Sequence, residues 1–329
     1  MQKLRLAVVL ILAPVICVIL TLFVGRFSMN LGDVLHTLFS PDRATLDQFH
    51  VVWYLRLPRA AAAALCGAAL AVSGAAFQGV FRNPLVNSGI LGVSNGAGFG
   101  ACLAIVFLGG GAYTYFLSFA FAVLAVVLSY FSGRISRTTT SITLILGGVI
   151  VSGFFSALIS ILKYMADPYS QLPSITFWFM GSFASVNYTH FFAFIPMAAG
   201  MIMIFLSRWR INVLSMGDKE ATALGLNIRR CKFIIIGGAT LATAAAVCIS
   251  GTIGWVGLVI PHIGRMLVGN DNTRLVPVSL SLGACFLTLM DLLARNLTSS
   301  ELPIGILCAL VGTPFFVYLL KKTRGGDWQ

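Results

Sequence analysis

Apolar residues gather into ten stretches, near 6–25, 58–80, 89–108, 113–133, 142–162, 191–207, 233–250, 252–268, 275–294 and 303–320. A bilayer core of about 30 Å takes about 20 helical residues to cross. The stretches have that length and lack the alternation of membrane strands, so they predict spanning helices rather than a barrel. Pro261 and Pro277 fall inside two of them and predict kinks or breaks. Three connections are long: 26–57, 163–190 and 208–232. The last reads as a helix over Val213 to Leu224, a stop at Gly225, and a new helix from Asn227. The prediction is an all-α integral membrane protein of about ten transmembrane helices, a single domain over 1–329.

Composition agrees. Of 329 residues, 58% are hydrophobic and 10% charged, against roughly 25% charged in soluble domains. That excludes a soluble enzyme, a disordered chain and a coiled coil. The net charge of +12 raises nucleic acid as a partner until the charges are placed. With the N-terminus inside, the inner segments carry sixteen Lys and Arg against four carboxylates, and the outer ones six against six. The excess is therefore the inward bias of membrane proteins. It puts both termini in the cytoplasm and gives no reason to expect nucleic acid. Lys3 and Arg5 ahead of an apolar run resemble a signal peptide, but the run is long and no A-x-A site follows, so it is read as the first span.

Recognisable chemistry is scarce. The seven cysteines lie in or at the edge of apolar runs without C-x-x-C spacing, and read as small buried residues. Gly92 to Gly96 match G-x-S-x-G, yet a membrane helix begins there and no His and Asp partners accompany it. Gly92, Gly96 and Gly100 instead form a small-residue stripe, as do Gly67, Ala71, Ala75 and Gly79. There is no G-x-x-x-x-G-K-[ST] and no H-E-x-x-H, so no cofactor or metal is expected on this chain. An ion-coupled transporter needs intramembrane carboxylates or broken helices. Here Asp291 is the one acid well inside a stretch, and Arg295 at i+4 can neutralise it. Arg56 and Arg59 flank Leu57-Pro58 at the predicted outer start of the second span, where the helix dipole disfavours cations. Gln78, Met165, Trp178, Met180 and Phe183 either line a pathway or pack as core.

Seven ordered motifs carry a resemblance. Arg56-Leu-Pro-Arg59, Gln78-Gly-Val-Phe-Arg-Asn-Pro-Leu85, Leu91-Gly-Val-Ser-Asn-Gly-Ala-Gly98, Met216-Gly-Asp-Lys-Glu-Ala-Thr-Ala-Leu-Gly225, Gly257-Leu-Val-Ile-Pro-His-Ile-Gly-Arg265, Asp291-Leu-Leu-Ala-Arg295 and Glu301-Leu-Pro-Ile-Gly305 resemble the permease subunits of iron-chelate and cobalamin ABC importers. The resemblance implies ten helices with both termini inside, and a homodimer or a heterodimer with a similar permease. Two cytoplasmic ATPase subunits would hold ATP and magnesium, and a periplasmic or lipid-anchored binding protein would deliver substrate. By the same resemblance Gly217, Glu220, Ala221, Leu224 and Gly225 belong to the coupling segment of the 208–232 loop. Arg56, Arg59 and Arg295 match arginines that receive the binding protein's acidic residues. Asn83 and Leu85 fall on the cytoplasmic gate, with Thr140 and Ser141 as further gate residues. Members carry ferric siderophores, haem, cobalamin or molybdate and tungstate. A ferric siderophore is the expected cargo, by frequency alone.

Overall fold

The computed structural model describes residues 2–40, 44–133 and 141–322. The candidate gate residue Thr140 lies outside them, as do Asp42, Arg43, Arg134, Arg137, Arg324 and Asp327 of the charge map. Each of the ten apolar stretches coincides with a helix: α1 (Gln2–Phe23), α4 (Leu57–Phe81), α5 (Val93–Leu108), α6 (Ala112–Ser132), α7 (Ser141–Met165), α9 (Phe194–Leu206), α12 (Ile228–Ser250), α13 (Val256–Val268), α14 (Asn272–Asn296) and α15 (Ile304–Lys322). Among the described residues six helical stretches are long and apolar enough to cross a bilayer: Leu46–Phe81, Ala112–Ser132, Ser141–Met165, Tyr188–Leu206, Ile228–Ser250 and Asn272–Asn296. Val8–Phe23, Val93–Leu108, Val256–Val268 and Ile304–Tyr318 are apolar but shorter.

Two of the long connections hold helices that the apolar pattern did not predict, and the third holds two where one was predicted. Residues 26–57 contain α2 (Leu31–Phe39), α3 (Leu46–Phe49) and a π-helical stretch, His50–Arg56, that runs without interruption into α4. Residues 163–190 contain α8 (Gln171–Met180), and 208–232 contain α10 (Arg208–Met216) and α11 (Asp218–Ala223). Each of these segments has at most ten residues, too short for a helical period to declare itself. Pro261 and Pro277 break nothing, since α13 and α14 run through them.

Helix α4 is the axis of the fold. It is rich in Ala and Gly and buried on all sides, as expected of a helix without a polar face. Its small residues admit neighbours at backbone distance. A Cβ at Gly67 would run into the Gly283 carbonyl oxygen, and one at Gly283 into that of Gly67. A Cβ at Gly74 would likewise run into the Gly257 carbonyl oxygen on α13, and one at Gly257 into the Leu70 carbonyl oxygen of α4. The second predicted stripe works likewise, with Gly96 and Gly100 pressed onto the α6 backbone at Phe121 and Leu117. Around this centre, α6, α7 and α9 expose large apolar side chains such as Phe116, Ile150 and Ile195. In water such a surface aggregates; in a bilayer it is the ordinary lipid face.

Gln78 and Phe183 are buried, and Trp178 and Met180 are half-buried. Of the candidate pathway side chains only Met165 is exposed. Cys66, Cys102, Cys231, Cys248 and Cys308 are buried, with Cys17 and Cys285 half-buried, and all seven are free thiols.

Candidate functional site

Two clusters of charged and amide side chains stand at opposite ends of α4. At one end Arg59, in the first turn of α4, meets Asp291 on α14. Its Nε lies 2.9 and 3.1 Å from the two carboxylate oxygens, and Nη2 lies 2.8 Å from Oδ1. The same guanidinium uses Nη1 to hold Glu301 at 3.0 and 2.9 Å. Asp291 is 0% exposed. Arg295 sits one turn on, with Nε 3.3 Å from Asp291 Oδ2 and Nη2 donating to the Thr21 carbonyl at 3.4 Å. Arg56 donates to the carbonyls of Leu22 and Phe27, both at 2.6 Å, where α1 ends. Arg26 closes the ring on the carbonyls of Arg295 and Thr298. A buried charge is tolerated only when paired and hydrogen-bonded. Here three buried guanidiniums share two carboxylates and a set of backbone oxygens, lashing α1, α4, α14 and the approach to α15 together.

The opposite end holds the turn after α4. Arg82 ends the helix in the left-handed conformation, φ 52°. The Asn83 side-chain oxygen then accepts the Leu85 N–H at 2.9 Å, a local turn that Pro84 helps fix. Leu85 projects outward, 55% exposed. Ser141, at the start of α7, places its hydroxyl 3.5 Å from the Val80 carbonyl, so three of the four candidate gate residues lie around the end of α4. Behind the turn Gln78 is fully engaged. Its Nε2 donates to the carbonyls of Val86 and Gly257 at 3.1 and 3.2 Å, and its Oε1 accepts Arg265 Nη2 at 2.7 Å.

Beside the turn sits the 208–232 segment. Sequence pattern predicted one helix to Leu224; the structure breaks it at Gly217, whose φ of 141° excludes a side chain without strain. Helix α10 is docked hard. Ile211 fills the notch left by Gly79, and Ile211, Val213 and Leu214 are buried. Asn212 bridges to the N-terminus of α14, donating to Asp271 at 2.6 Å and accepting the Asn272 N–H at 2.6 Å. These contacts, with the Thr273 hydroxyl, hold the Asp271 carboxyl below its usual range. Helix α11 is held more lightly, chiefly by Lys232 to Asp218 at 2.7 Å and by buried Ala221. It ends in a Schellman turn, with Leu226 N–H on the Ala221 carbonyl and Gly225 N–H on that of Thr222. Glu220, Leu224 and Gly225 are exposed, as is Met216. An alanine Cβ built at Gly217 meets the Glu220 carboxylate and comes within 3.5 Å of Arg82 Nη1. The break between α10 and α11 therefore abuts the α4 turn.

Residues 11–322 match the FecCD transport family. The chain belongs to that family. It is 44% identical over 326 residues to the molybdate import system permease protein MolB of Haemophilus influenzae, covering 96% of each chain. A Helicobacter pylori protein named "Probable iron chelatin transport system permease protein" is 37% identical, with 95% of this chain and 97% of the relative covered. An ABC transporter assigned to the metal-chelate type, solved in an inward-facing conformation, superposes with a TM-score of 0.86 at 39% identity, covering 98% of this chain and all of the other. These relatives are named as permease proteins of import or transport systems, so the chain is a transport component.

Within this FecCD chain the outer arginines need a correction. Arg56 and Arg59 were expected at the open start of a helix, and Arg295 beside Asp291 near the end of another. In the chain itself all three are buried, at 4, 8 and 8% exposure for Arg56, Arg59 and Arg295. Neither Arg56 nor Arg59 sits at a helix start, since the Leu57 N–H already donates to the Val52 carbonyl. The dipole penalty therefore does not arise, and intrachain carboxylates and carbonyls suffice to explain the cations. Pairing of Asp291 with Arg295 was expected; the stronger pairing of Asp291 and Glu301 with Arg59, more than 230 residues away in sequence, was not. Asn212 and the Gln78–Arg265 pair were also missed. A polar amide inside or beside an apolar helix was the only available signal.

Proposed function

We propose that this chain is the membrane-spanning permease of an ATP-driven importer of a metal compound, in the cytoplasmic membrane of a bacterium or archaeon. The reading is supported by the family match together with the α10–α11 segment, which pairs a buried root with an exposed tip at Glu220, Leu224 and Gly225 beside the α4 turn. Both termini and the 208–232 loop face the cytoplasm, following the Lys and Arg bias. Two copies, or this chain and a similar permease, enclose the pathway. An ATPase subunit sits under each copy and takes the exposed Glu220, Leu224 and Gly225 into its surface, while the buried Gly217 and Ala221 set the shape of that segment; ATP and magnesium belong to the ATPase. Asn83, Leu85, Thr140 and Ser141 form the cytoplasmic constriction. A binding protein docks at the Arg59 end, where its carboxylate reaches Arg59 only by displacing Glu301, whose side chain is 31% exposed.

The cargo follows from the relatives. Molybdate leads, because the MolB relative is 44% identical across both chains; a ferric siderophore is the second reading, favoured by the iron-chelatin relative at 37%. The deciding experiment reconstitutes the permease with its ATPase in vesicles and adds binding protein loaded with molybdate or with a ferric siderophore. Stimulated ATP hydrolysis and uptake with one cargo names it. No stimulation by any loaded binding protein, with the ATPase bound, refutes the importer reading.

A further inference from the structure

A groove of about 740 Å³ opens on the side of the bundle between α6 and α12. Its α12 wall runs from Arg229 and Arg230 through Phe233 and Gly237 to Leu241, one face of the helix at three- and four-residue spacing. Val127 and Phe131 of α6, both exposed, form the facing wall. Eleven to twelve residues at 1.5 Å each make the groove about 17 Å long. Half of a 30 Å bilayer core is about 15 Å, so the groove spans one leaflet. Gly237 forms an open part of its floor, because a Cβ there would meet nothing within 4 Å. The two arginines stand only at one end, exposed, and neither has a carboxylate within ion-pair distance among the described residues. They sit in the first turn of a 23-residue helix, whose own N-terminus is positive.

From this arrangement we infer that the groove holds one anionic phospholipid of the cytoplasmic leaflet, acyl chain along α12 and phosphate between Arg229 and Arg230. A long apolar slot with cations at a single end matches an amphiphile with a charged head and an apolar tail. A transmembrane helix satisfies its own backbone and needs only the apolar slot, whereas a lipid with an anionic head also meets the two arginines at its end. The leaflet assignment rests on the orientation proposed above.

The test uses the full-length protein purified in detergent and native mass spectrometry. It is titrated with phosphatidylglycerol, with phosphatidylcholine of the same chains, and with inorganic phosphate. One phosphatidylglycerol per chain is expected, held at least tenfold more tightly than phosphatidylcholine, and excess phosphate does not displace it. Arg229→Gln with Arg230→Gln removes the preference; Gly237→Phe, which fills open space, removes the bound lipid of either kind. Equal binding of the two lipids, unchanged retention by both variants, or displacement by free phosphate overturns the inference. So does loss of self-association in Gly237→Phe with lipid binding intact, which makes the face a protein interface. Orientation is read separately, from labelling of Thr222→Cys by a membrane-impermeant thiol reagent in vesicles of known sidedness. Labelling from the outside alone sinks the leaflet assignment and leaves the lipid count in detergent standing.

Discussion

Asp291→Asn isolates the energetics of the buried network at the Arg59 end. The substitution keeps the side-chain size and removes one charge from a site that is 0% exposed. In the wild type, Asp291 takes three close contacts from Arg59 and lies 3.3 Å from Arg295. Its loss leaves two guanidiniums, each with a side chain 9% exposed, facing a single remaining carboxylate, Glu301. Breaking one partner of a buried pair typically costs 3–5 kcal/mol, because the other charge stays buried. About 3 kcal/mol or more is therefore expected, roughly a hundredfold or more in the unfolding equilibrium. Glu301→Gln removes a partner that is 31% exposed and screened by solvent, so it costs about 1 kcal/mol or less. Unfolding of the purified protein in mixed micelles measures both. Adding Arg59→Met to Asp291→Asn recovers part of the loss, since one uncompensated charge is removed with the partner. If Asp291→Asn unfolds within 1 kcal/mol of wild type (about the exposed-pair range), or Glu301→Gln costs as much, the network is not the brace described above.

Glu301→Gln also bears on docking: if a binding protein's carboxylate competes for Arg59, this variant binds it more tightly, by surface plasmon resonance, and an unchanged affinity argues that Arg59 is structural only. Gly217→Ala forces a side chain into φ 141° and against Glu220, at roughly 1–3 kcal/mol, and lowers cargo-stimulated ATP hydrolysis more than Gly225→Asn, which its left-handed turn tolerates; equal activity of the two would refute the coupling role. Cysteines at position 83 or 85 cross-link between permease subunits in at least one nucleotide state, and failure in all of them removes the gate assignment. The Asp271 carboxyl is depressed by Asn212 and Thr273, so the bond stabilises the fold fully above the unfolded value near 4 and is lost as pH falls through the folded value below it. Asp271→Asn should therefore abolish the difference in melting temperature between pH 5 and pH 3 that this group supplies, and an identical difference in the variant would refute it.

All ten apolar stretches were legible as helices, because apolar runs of that length have few other uses. The small-residue stripes at Gly67 and Gly96 were legible for the same reason: without a side chain, the position says that something comes close. What the pattern hid was pairing at long range. Arg59 and Asp291 are 232 residues apart, and nothing local in either motif states that they meet, so Arg59 looked like a free cation at a helix mouth. Short helices were hidden too. Helices α2 and α8 have nine and ten residues, too few for periodicity to separate from loop composition. The break at Gly217 turned on a backbone angle, φ 141°, that glycine permits without announcing.

The reciprocal contact of Gly67 and Gly283 also limits how this protein can evolve. Most core substitutions can be compensated, because a neighbouring side chain shrinks to make room for one that grows. Here the obstacle on each side is a main-chain carbonyl, which no mutation can shorten. A side chain at either site therefore has no second-site suppressor at the crossing itself, and the only accommodation is to pull the two helices apart along their length. Divergence in cargo should then be written into the lining and the loops, while the crossing of α4 and α14 stays fixed across descendants. Sequencing the survivors of a randomised library covering both positions would show this as glycine at 67 and 283 in nearly every functional clone.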